Sequence, residues 1–344
     1  MTLAESVLRG NRLALARLLT LIENNTQEGR IAVNELFPRT GRAHLVGVTG
    51  APGTGKSSLV NQLVRCIRNP QNGKNCIGEE KQKVAVVAVD PSSPFTGGAI
   101  LGDRVRMQDL SGDPGVFIRS MASRGSLGGL ASTTSGLVQA FDAAGFDLIM
   151  IETVGAGQAE VDIAKLAHTT LVIEAPGLGD DIQAIKAGIL EIADVLVINK
   201  SDRPGVEVTE RALRSMLQLA HPVPRIFHHH GAVELVNVES SASSTEEMWI
   251  PPIHKTNAIE GVGIEELVEE IRSHKQFLLD TGGWRQRDSA RLQSELDIML
   301  QESLVSRWRS RVPENEYLRV LDEVVTREIS PWQAVDLLLG GGAA

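Results

Sequence analysis

The chain has 344 residues and a mass of 37.1 kDa, a length that suits one large domain or two modest ones. Asp and Glu outnumber Lys and Arg by 43 to 34, for a formal charge of −9. This balance argues against nucleic-acid binding, which favours a basic surface. Two cysteines exclude a disulfide framework, and no apolar stretch is long enough to span a membrane. We therefore expect a soluble, cytoplasmic protein.

Residues 1–40 are predicted to form a helical N-terminal arm. Apolar residues recur at helical spacing from Leu3 through Leu15 to Ile22. Residues 41–275 then alternate amphipathic segments with short, β-branched apolar runs, at 45–48, 84–89, 116–118, 148–151, 171–173 and 195–198. Uninterrupted apolar runs are typical of strands buried on both faces. The pattern predicts an α/β domain with a mostly parallel, doubly wound sheet.

Residues 276–344 are predicted to be helical. Their leucines form stripes, and the last helix has a start pattern at Ser330 and Pro331 and a stop at Gly340. Trp284, Trp308 and Trp332 fall in this region, although only 3% of the chain is aromatic. Apolar stripes with tryptophan favour a buried interface, so we expect a dimerisation tail.

The first apolar run leads into a phosphate-binding motif. The residues after it match G-x-x-x-x-G-K-[ST] and stand between a strand and a helix, as the P-loop requires: Gly50, Ala51, Pro52, Gly53, Thr54, Gly55, Lys56 and Ser57, followed by Ser58. Backbone N–H groups of such a loop point at phosphates. Lys56 can reach the β- and γ-phosphates and the Ser57 hydroxyl can bind Mg²⁺.

A guanine-binding motif follows the sixth apolar run. Asn199, Lys200 and Asp202 form N-K-x-D directly after residues 195–198. A carboxylate at Asp202 can accept hydrogen bonds from both the ring N1–H and the exocyclic amine of guanine. Adenine lacks this pair of donors, so the motif predicts a preference for GTP over ATP.

Acidic residues that could serve Mg²⁺ stand at other strand ends. Asp90 ends the second apolar run, and Glu152 ends the fourth, in the place where Ras-like GTPases carry Asp in D-x-x-G. Both are expected beside the nucleotide crevice, because ligands bind at the carboxyl ends of parallel strands. The loop after Asp90 also contains Asp103 and Arg106, and position alone leaves the role of Asp103 open.

Four long blocks resemble one family: VAVDPSSPFTGGAILGDRVRM, FIRSMASRGSLGGLA, ETVGAGQAEVDIA and APGLGDDIQAIKAGILEIADVLVINKSD. They are similar to the MeaB-type G proteins, the chaperones of adenosylcobalamin-dependent acyl-CoA mutases. The resemblance implies a homodimeric GTPase that binds such a mutase, gates its cofactor loading and protects it from inactivation. A cobalamin adenosyltransferase is a second implied partner, and no direct binding of cobalamin is implied.

The same resemblance implies roles for individual residues. Ser57, Asp90, Asp103 and Glu152 correspond to the magnesium environment. The implied catalytic set is Lys56, Arg106 and Glu152. Residues 176–186 correspond to a switch loop. The last guanine-binding loop corresponds to Thr256, Asn257 and Ala258, where Asn257 replaces the usual serine.

Three other functions are compatible with parts of the sequence. A nickel metallochaperone GTPase needs a Cys/His cluster, but the run from His228 to His230 lacks a cysteine partner and is expected to be a solvated loop. A small-molecule kinase needs a second substrate pocket, which no motif indicates. A nucleotide-gated scaffold with negligible hydrolysis is the third alternative.

Overall fold

The computed structural model describes residues 1–69, 81–91, 107–110, 112–123, 129–153, 165–177, 192–220, 228–229, 232–233 and 248–340. Contacts within the chain define two units, Met1–Arg291 and Leu292–Ala344. Within the described ranges, no helix is long and apolar enough to cross a membrane.

The first unit is built on a seven-stranded parallel sheet. Its strands are β1 (His44–Gly50), β2 (Val84–Pro91), β3 (Val116–Ser123), β4 (Leu148–Thr153), β5 (Thr169–Glu174), β6 (Val195–Asn199) and β9 (Ile253–Thr256). They lie in the order β3-β2-β4-β1-β5-β6-β9, and each neighbouring pair is parallel. The parallel, doubly wound sheet predicted from the sequence is confirmed, and β9 is a strand that the apolar runs did not indicate.

Helices cover both faces of the sheet. Those of the first unit are α1 (Leu3–Leu8), α2 (Arg12–Glu23), α3 (Gln27–Leu36), α4 (Lys56–Arg68), α5 (Gly129–Ala143), α6 (Val206–Ala220) and α7 (Ile264–Asp280). Residues of β2 alternate between two core clusters, with Ala85 and Val87 packed among α1–α3 and α5, and Val84 and Val86 packed among α4 and α7. Strands with two apolar faces require this double cover.

The N-terminal arm, predicted to be helical, is divided into three helices. Gly10 has a φ of 80°, and the side chain of Asn11 accepts hydrogen bonds from the backbone N–H groups that begin α2. Asn25 has a φ of 52°, and Thr26 caps α3. Each interruption therefore combines a left-handed residue with a side-chain cap, which ends one helix and starts another.

The remaining elements are short strands and the C-terminal helices. His228–His229 (β7) pairs with Ala232–Val233 (β8) in antiparallel orientation, where a solvated loop was expected. The C-terminal helices are α8 (Gly283–Arg309), α9 (Glu314–Val325) and α10 (Pro331–Gly340). The predicted start of α10 is confirmed, because the Ser330 hydroxyl accepts from the Gln333 N–H and the Gln333 side chain accepts from the Ser330 N–H.

Candidate nucleotide-binding site

The P-loop forms a tight turn that only glycine permits at two points. Gly50 ends β1 with a φ of 136°, and a Cβ there would lie 2.1 Å from the carbonyl oxygen of Ile173 on β5. Gly55 precedes α4 with a φ of 94°, and its Cβ would lie 2.6 Å from the Asn199 side-chain nitrogen. The loop therefore nests against the ends of β5 and β6, with the N-terminus of α4 directly behind it.

Lys56 places a buried ammonium inside this loop. Its side chain donates to the carbonyl oxygens of Gly50 at 2.7 Å and Ala51 at 2.9 Å. Thr54 closes the same turn by donating its hydroxyl to Ala51 at 2.9 Å. The P-loop thus places a positive charge at the N-terminus of α4. This arrangement is suited to bind the phosphates of a nucleotide.

Ser57 and Glu152 meet at the carboxyl end of the central strands. Ser57 is the second residue of α4, and its hydroxyl donates to a Glu152 carboxylate oxygen at 2.6 Å. Both side chains are buried. A hydroxyl and a carboxylate are the hard oxygen donors that Mg²⁺ prefers. This pair therefore fits the magnesium ion that the P-loop motif implies.

Asn199 joins three segments of the site. Its side-chain amide donates to the Thr54 carbonyl at 2.8 Å. Its amide oxygen accepts from the Thr256 hydroxyl at 3.2 Å and from the Ala258 N–H at 3.1 Å. Because these three bonds are buried, Asn199 holds the P-loop and the loop after β9 in one arrangement. Lys200 adds a second link by donating to the Gly53 carbonyl.

Asn257 orders the loop after β9. Its buried side-chain oxygen accepts from the N–H groups of Ile259 at 3.1 Å and Glu260 at 3.3 Å. This is an Asx-turn, in which the side chain imitates a backbone carbonyl. Gly263 then closes the loop with a φ of 74°, where a Cβ would lie 2.2 Å from the Lys255 carbonyl. Asn257 therefore shapes the turn through its own backbone neighbours.

Comparison with known proteins identifies the family. Residues 15–312 match the family described as methylmalonyl-CoA mutase-associated GTPase MeaB. The chain belongs to the MeaB family. A Pyrococcus abyssi protein named as a GTPase is 41% identical over 344 residues, covering 99% of this chain and 97% of that protein. GTPase ArgK of Escherichia coli is 36% identical over 293 residues, covering 83% of this chain and 80% of ArgK.

Two further relatives extend the comparison. The mouse methylmalonic aciduria type A homolog is 30% identical over 348 residues, covering 97% of this chain and 77% of that protein. The crystal structure of a LAO/AO transport system kinase superposes with a TM-score of 0.67 at 25% identity, covering 98% of this chain and 95% of that structure. The chain is therefore a P-loop GTPase of the MeaB family.

The structure gathers most of the predicted site residues at one edge of the sheet. They lie at or directly after the carboxyl ends of their strands, and Asp202 is exposed there: residues 50–58, Glu152, Asn199–Asp202 and Thr256–Ala258. Asp90 lies near the end of β2, in register with Ala122 of β3. Asp103, Arg106 and residues 178–186 of the implied switch loop lie outside the described residues.

A second buried polar network lies at the opposite, amino edge of the sheet. The Thr169 hydroxyl bridges the His44 ring at 2.7 Å and the His274 ring at 2.8 Å. His274 in turn faces Asp194, which pairs with the Arg287 guanidinium at 2.7 and 2.8 Å. Nothing in the motif pattern indicated these residues, because they are far apart along the chain. The network holds α7 and the first turns of α8 to the sheet.

Burial and hydrogen bonding shift the pKa values in this network. Burial lowers the pKa of His44 well below its ordinary value, and burial also lowers the pKa of His168. Burial acts to raise the pKa of Asp194, but hydrogen bonds from His274 and Arg287 outweigh this and hold the pKa below its usual value. The Trp284 ring stacks on His168 with centroids 3.8 Å apart. The network therefore favours neutral His44 and His168 beside an ionised Asp194.

Proposed function

We propose that this GTPase is a chaperone of an adenosylcobalamin-dependent acyl-CoA mutase, methylmalonyl-CoA mutase or a close relative, and acts in the cytoplasm. It would gate cofactor loading and protect the mutase from inactivation. The observation that carries the proposal is the match of residues 15–312 to a family described by its association with methylmalonyl-CoA mutase. The name of the mouse relative refers to methylmalonic aciduria, which supports the same client. A cobalamin adenosyltransferase is the second proposed partner.

In the proposed GTP site, the P-loop binds the phosphates and Asp202 binds the guanine base. Backbone N–H groups of Gly53 and Gly55 and the Lys56 ammonium would bind the phosphate oxygens. On binding, Lys56 would exchange its present carbonyl partners, Gly50 and Ala51, for phosphate. Asp202 would accept from the two guanine donors. Asn199 would act as the strut that keeps the base loop and the P-loop in register.

The residues assigned to Mg²⁺ are Ser57, Asp90, Asp103 and Glu152. Ser57 and Glu152 already share a 2.6 Å hydrogen bond, so the two side chains would present a neutral hydroxyl oxygen and a carboxylate oxygen to a magnesium ion, both of which suit it. The ion, when bound, neutralises charge on the β- and γ-phosphates. Asp90 is proposed on the family resemblance and on its place near the carboxyl end of β2, and Asp103 on the family resemblance.

Hydrolysis in this proposal is an in-line attack of water on the γ-phosphorus. The bond from that phosphorus to the β,γ-bridging oxygen breaks, and GDP and inorganic phosphate are released. Lys56 and Arg106 would stabilise the charge that spreads over the transferred group. Glu152 is the third proposed catalytic residue, with its carboxylate held in place through Ser57.

We further propose that the C-terminal region makes the protein a homodimer. Within the unit Leu292–Ala344, large apolar side chains are exposed, among them Leu296 at 58%, Leu304 at 64% and Trp332 at 81%. Apolar surface of this kind typically marks a protein interface. The indole N–H of Trp308 donates to the Leu338 carbonyl at 2.9 Å. This hydrogen bond joins α8 and α10, the helices that carry these exposed side chains.

Calorimetric titration of a purified mutase against three forms of the GTPase tests the chaperone role. The forms are GTP-bound with a non-hydrolysable analogue, GDP-bound and nucleotide-free. A nucleotide-gated chaperone must bind the mutase with different affinities in these forms, and the mutase must change nucleotide affinity by the same factor. Equal affinities in all three forms, together with an unchanged hydrolysis rate, would rule out the chaperone role while leaving GTPase activity intact.

A further inference from the structure

A cavity of about 530 Å³ opens at the amino edge of the sheet. Its lining includes Arg42, which precedes β1, and Asp147, which precedes β4. The nucleotide residues follow the opposite ends of the same strands, so this cavity is a separate site. Its volume lies within the range of about 300–1,000 Å³ that is usual for small-molecule sites.

The charged wall of the cavity contains three cations that form no salt bridge within the described part of the chain. Arg39, Arg42 and Lys275 line it. Within the described part of the chain, none of the three forms a salt bridge. Burial lowers the pKa of Lys275, and the nearby Asp147 only partly offsets this effect. An anion placed beside this ammonium would therefore stabilise its charged form.

The two carboxylates in the cavity wall are occupied by backbone donors. Asp142 accepts from the N–H groups of Gly41 at 2.6 Å and Ala43 at 3.1 Å, as well as from that of Arg42. Asp147 accepts from the N–H of Lys83 at 2.8 Å. These bonds account for the acidic residues as structural supports of the chain before β1 and β2. Within the described part of the chain, none of the three cations forms a salt bridge, and Lys275 lies over the Trp284 ring with its ammonium 5.6 Å from the ring centroid.

An apolar wall lies in the same cavity. Leu8, Ala143 and Phe146 contribute it. We propose that this cavity binds a small organic anion whose phosphate or carboxylate group lies among Arg39, Arg42 and Lys275 and whose apolar body contacts Leu8 and Phe146. A planar guanidinium suits either anionic group, because it can donate two parallel hydrogen bonds. The proposal depends on the fold alone and is independent of the mutase partner.

Calorimetry on the full chain with saturating GDP tests this site, because GDP occupies the P-loop. The probes are phenyl phosphate, inorganic phosphate and phenol. We expect saturable one-to-one binding of phenyl phosphate, weaker binding of inorganic phosphate and no saturable binding of phenol. Arg42→Ala and Lys275→Gln should each weaken phenyl phosphate binding about tenfold, the loss expected for one charge-assisted contact of roughly 1.4 kcal/mol.

The matched control is Arg30→Ala on α3. Arg30 is an exposed arginine whose guanidinium donates to Asn25 and which does not line the cavity, so this variant should bind phenyl phosphate as the wild type does. Circular dichroism of each variant checks that the fold is retained. Absence of saturable binding, equal binding of phenol, or affinity unchanged in both cavity variants would each overturn the proposal. A variant that loses the fold is replaced by Arg39→Gln, whose exposed side chain stands at the same cavity.

Discussion

Replacing Asn199 by alanine tests whether one side chain holds the GTP site together. The change removes three buried hydrogen bonds, those with Thr54, Thr256 and Ala258. At a net value of about 1 kcal/mol each, the loss is about 3 kcal/mol of unfolding free energy. We expect a further loss of at least tenfold in GTP affinity, because the P-loop and the base loop would lose their shared anchor.

Asn257→Ala is the matched control for this perturbation. Asn257 is also a buried asparagine, but it bonds only the N–H groups of Ile259 and Glu260 in its own turn. Both of those residues are exposed, so water can replace the lost acceptor. We therefore expect a cost of about 1 kcal/mol. Urea unfolding followed by circular dichroism measures stability, and fluorescence titration with a labelled GTP measures affinity.

The comparison between the two variants decides the outcome. If Asn199→Ala unfolds within about 0.5 kcal/mol of the wild type, the three bonds do not contribute as the geometry implies. If Asn257→Ala loses as much stability and GTP affinity as Asn199→Ala, the losses are not specific to the hydrogen bonds of Asn199. In either case the role of Asn199 as a strut between β6, the P-loop and β9 would be wrong.

Three further predictions follow from other parts of the molecule. Asp202→Asn should weaken GTP binding and favour xanthine nucleotides, whose carbonyl can accept from the new amide; competition binding measures this. Truncation after Arg291 should give a monomer that still binds GTP, because the truncated chain keeps Arg287, which pairs with Asp194 and anchors the start of α8; sedimentation of full-length and truncated protein tests it. Burial lowers the pKa of His44 and His168, so the unfolded chain binds protons more tightly than the folded one. Stability should be constant above about pH 6.5 and fall below it, by up to about 1.4 kcal/mol per pH unit for each histidine, as measured by urea unfolding between pH 5.5 and 8.

The sheet was predictable where strands are buried on both faces. Six of its strands carry uninterrupted apolar runs, such as residues 195–198 of β6, a strand in which every residue is buried. β9 was missed because its sequence, Ile-His-Lys-Thr, lies at the sheet edge, where only Thr256 is fully buried. An edge strand is partly exposed to solvent, so it can contain polar and charged side chains. The periodicity of the N-terminal arm predicted helix but did not locate the breaks between α1, α2 and α3, which depend on positive φ values at Gly10 and Asn25.

The nucleotide site was predictable because its chemistry depends on short contiguous motifs. The P-loop occupies successive residues, and Asn199, Lys200 and Asp202 stand within four positions. The residues of the amino-edge network form no contiguous motif in the sequence. His44, Thr169, Asp194 and His274 come from four separate segments, and only the order of β1, β5 and β6 brings them together. Each looks like an isolated polar residue until the topology is known.

Strands β1 and β5 contribute to both the amino-edge network and the nucleotide site at the carboxyl edge. The two regions differ in the partners that their hydrogen-bonding groups have. β1 runs from His44 in the network to Gly50 in the P-loop, a span of about 20 Å at roughly 3.3 Å per residue. At the amino edge the network closes on groups of the protein itself, from His44 through Thr169 and His274 to Asp194 and Arg287. At the carboxyl edge the Lys56 ammonium rests on carbonyl oxygens of a loop that can exchange them for phosphate. A network of this kind fastens helices, because it joins buried polar groups of the sheet to groups on α7 and α8. The P-loop is suited to bind a ligand, because the buried Lys56 ammonium can exchange its carbonyl partners for phosphate oxygens. The same strands therefore support helix attachment at their amino ends and GTP binding at their carboxyl ends.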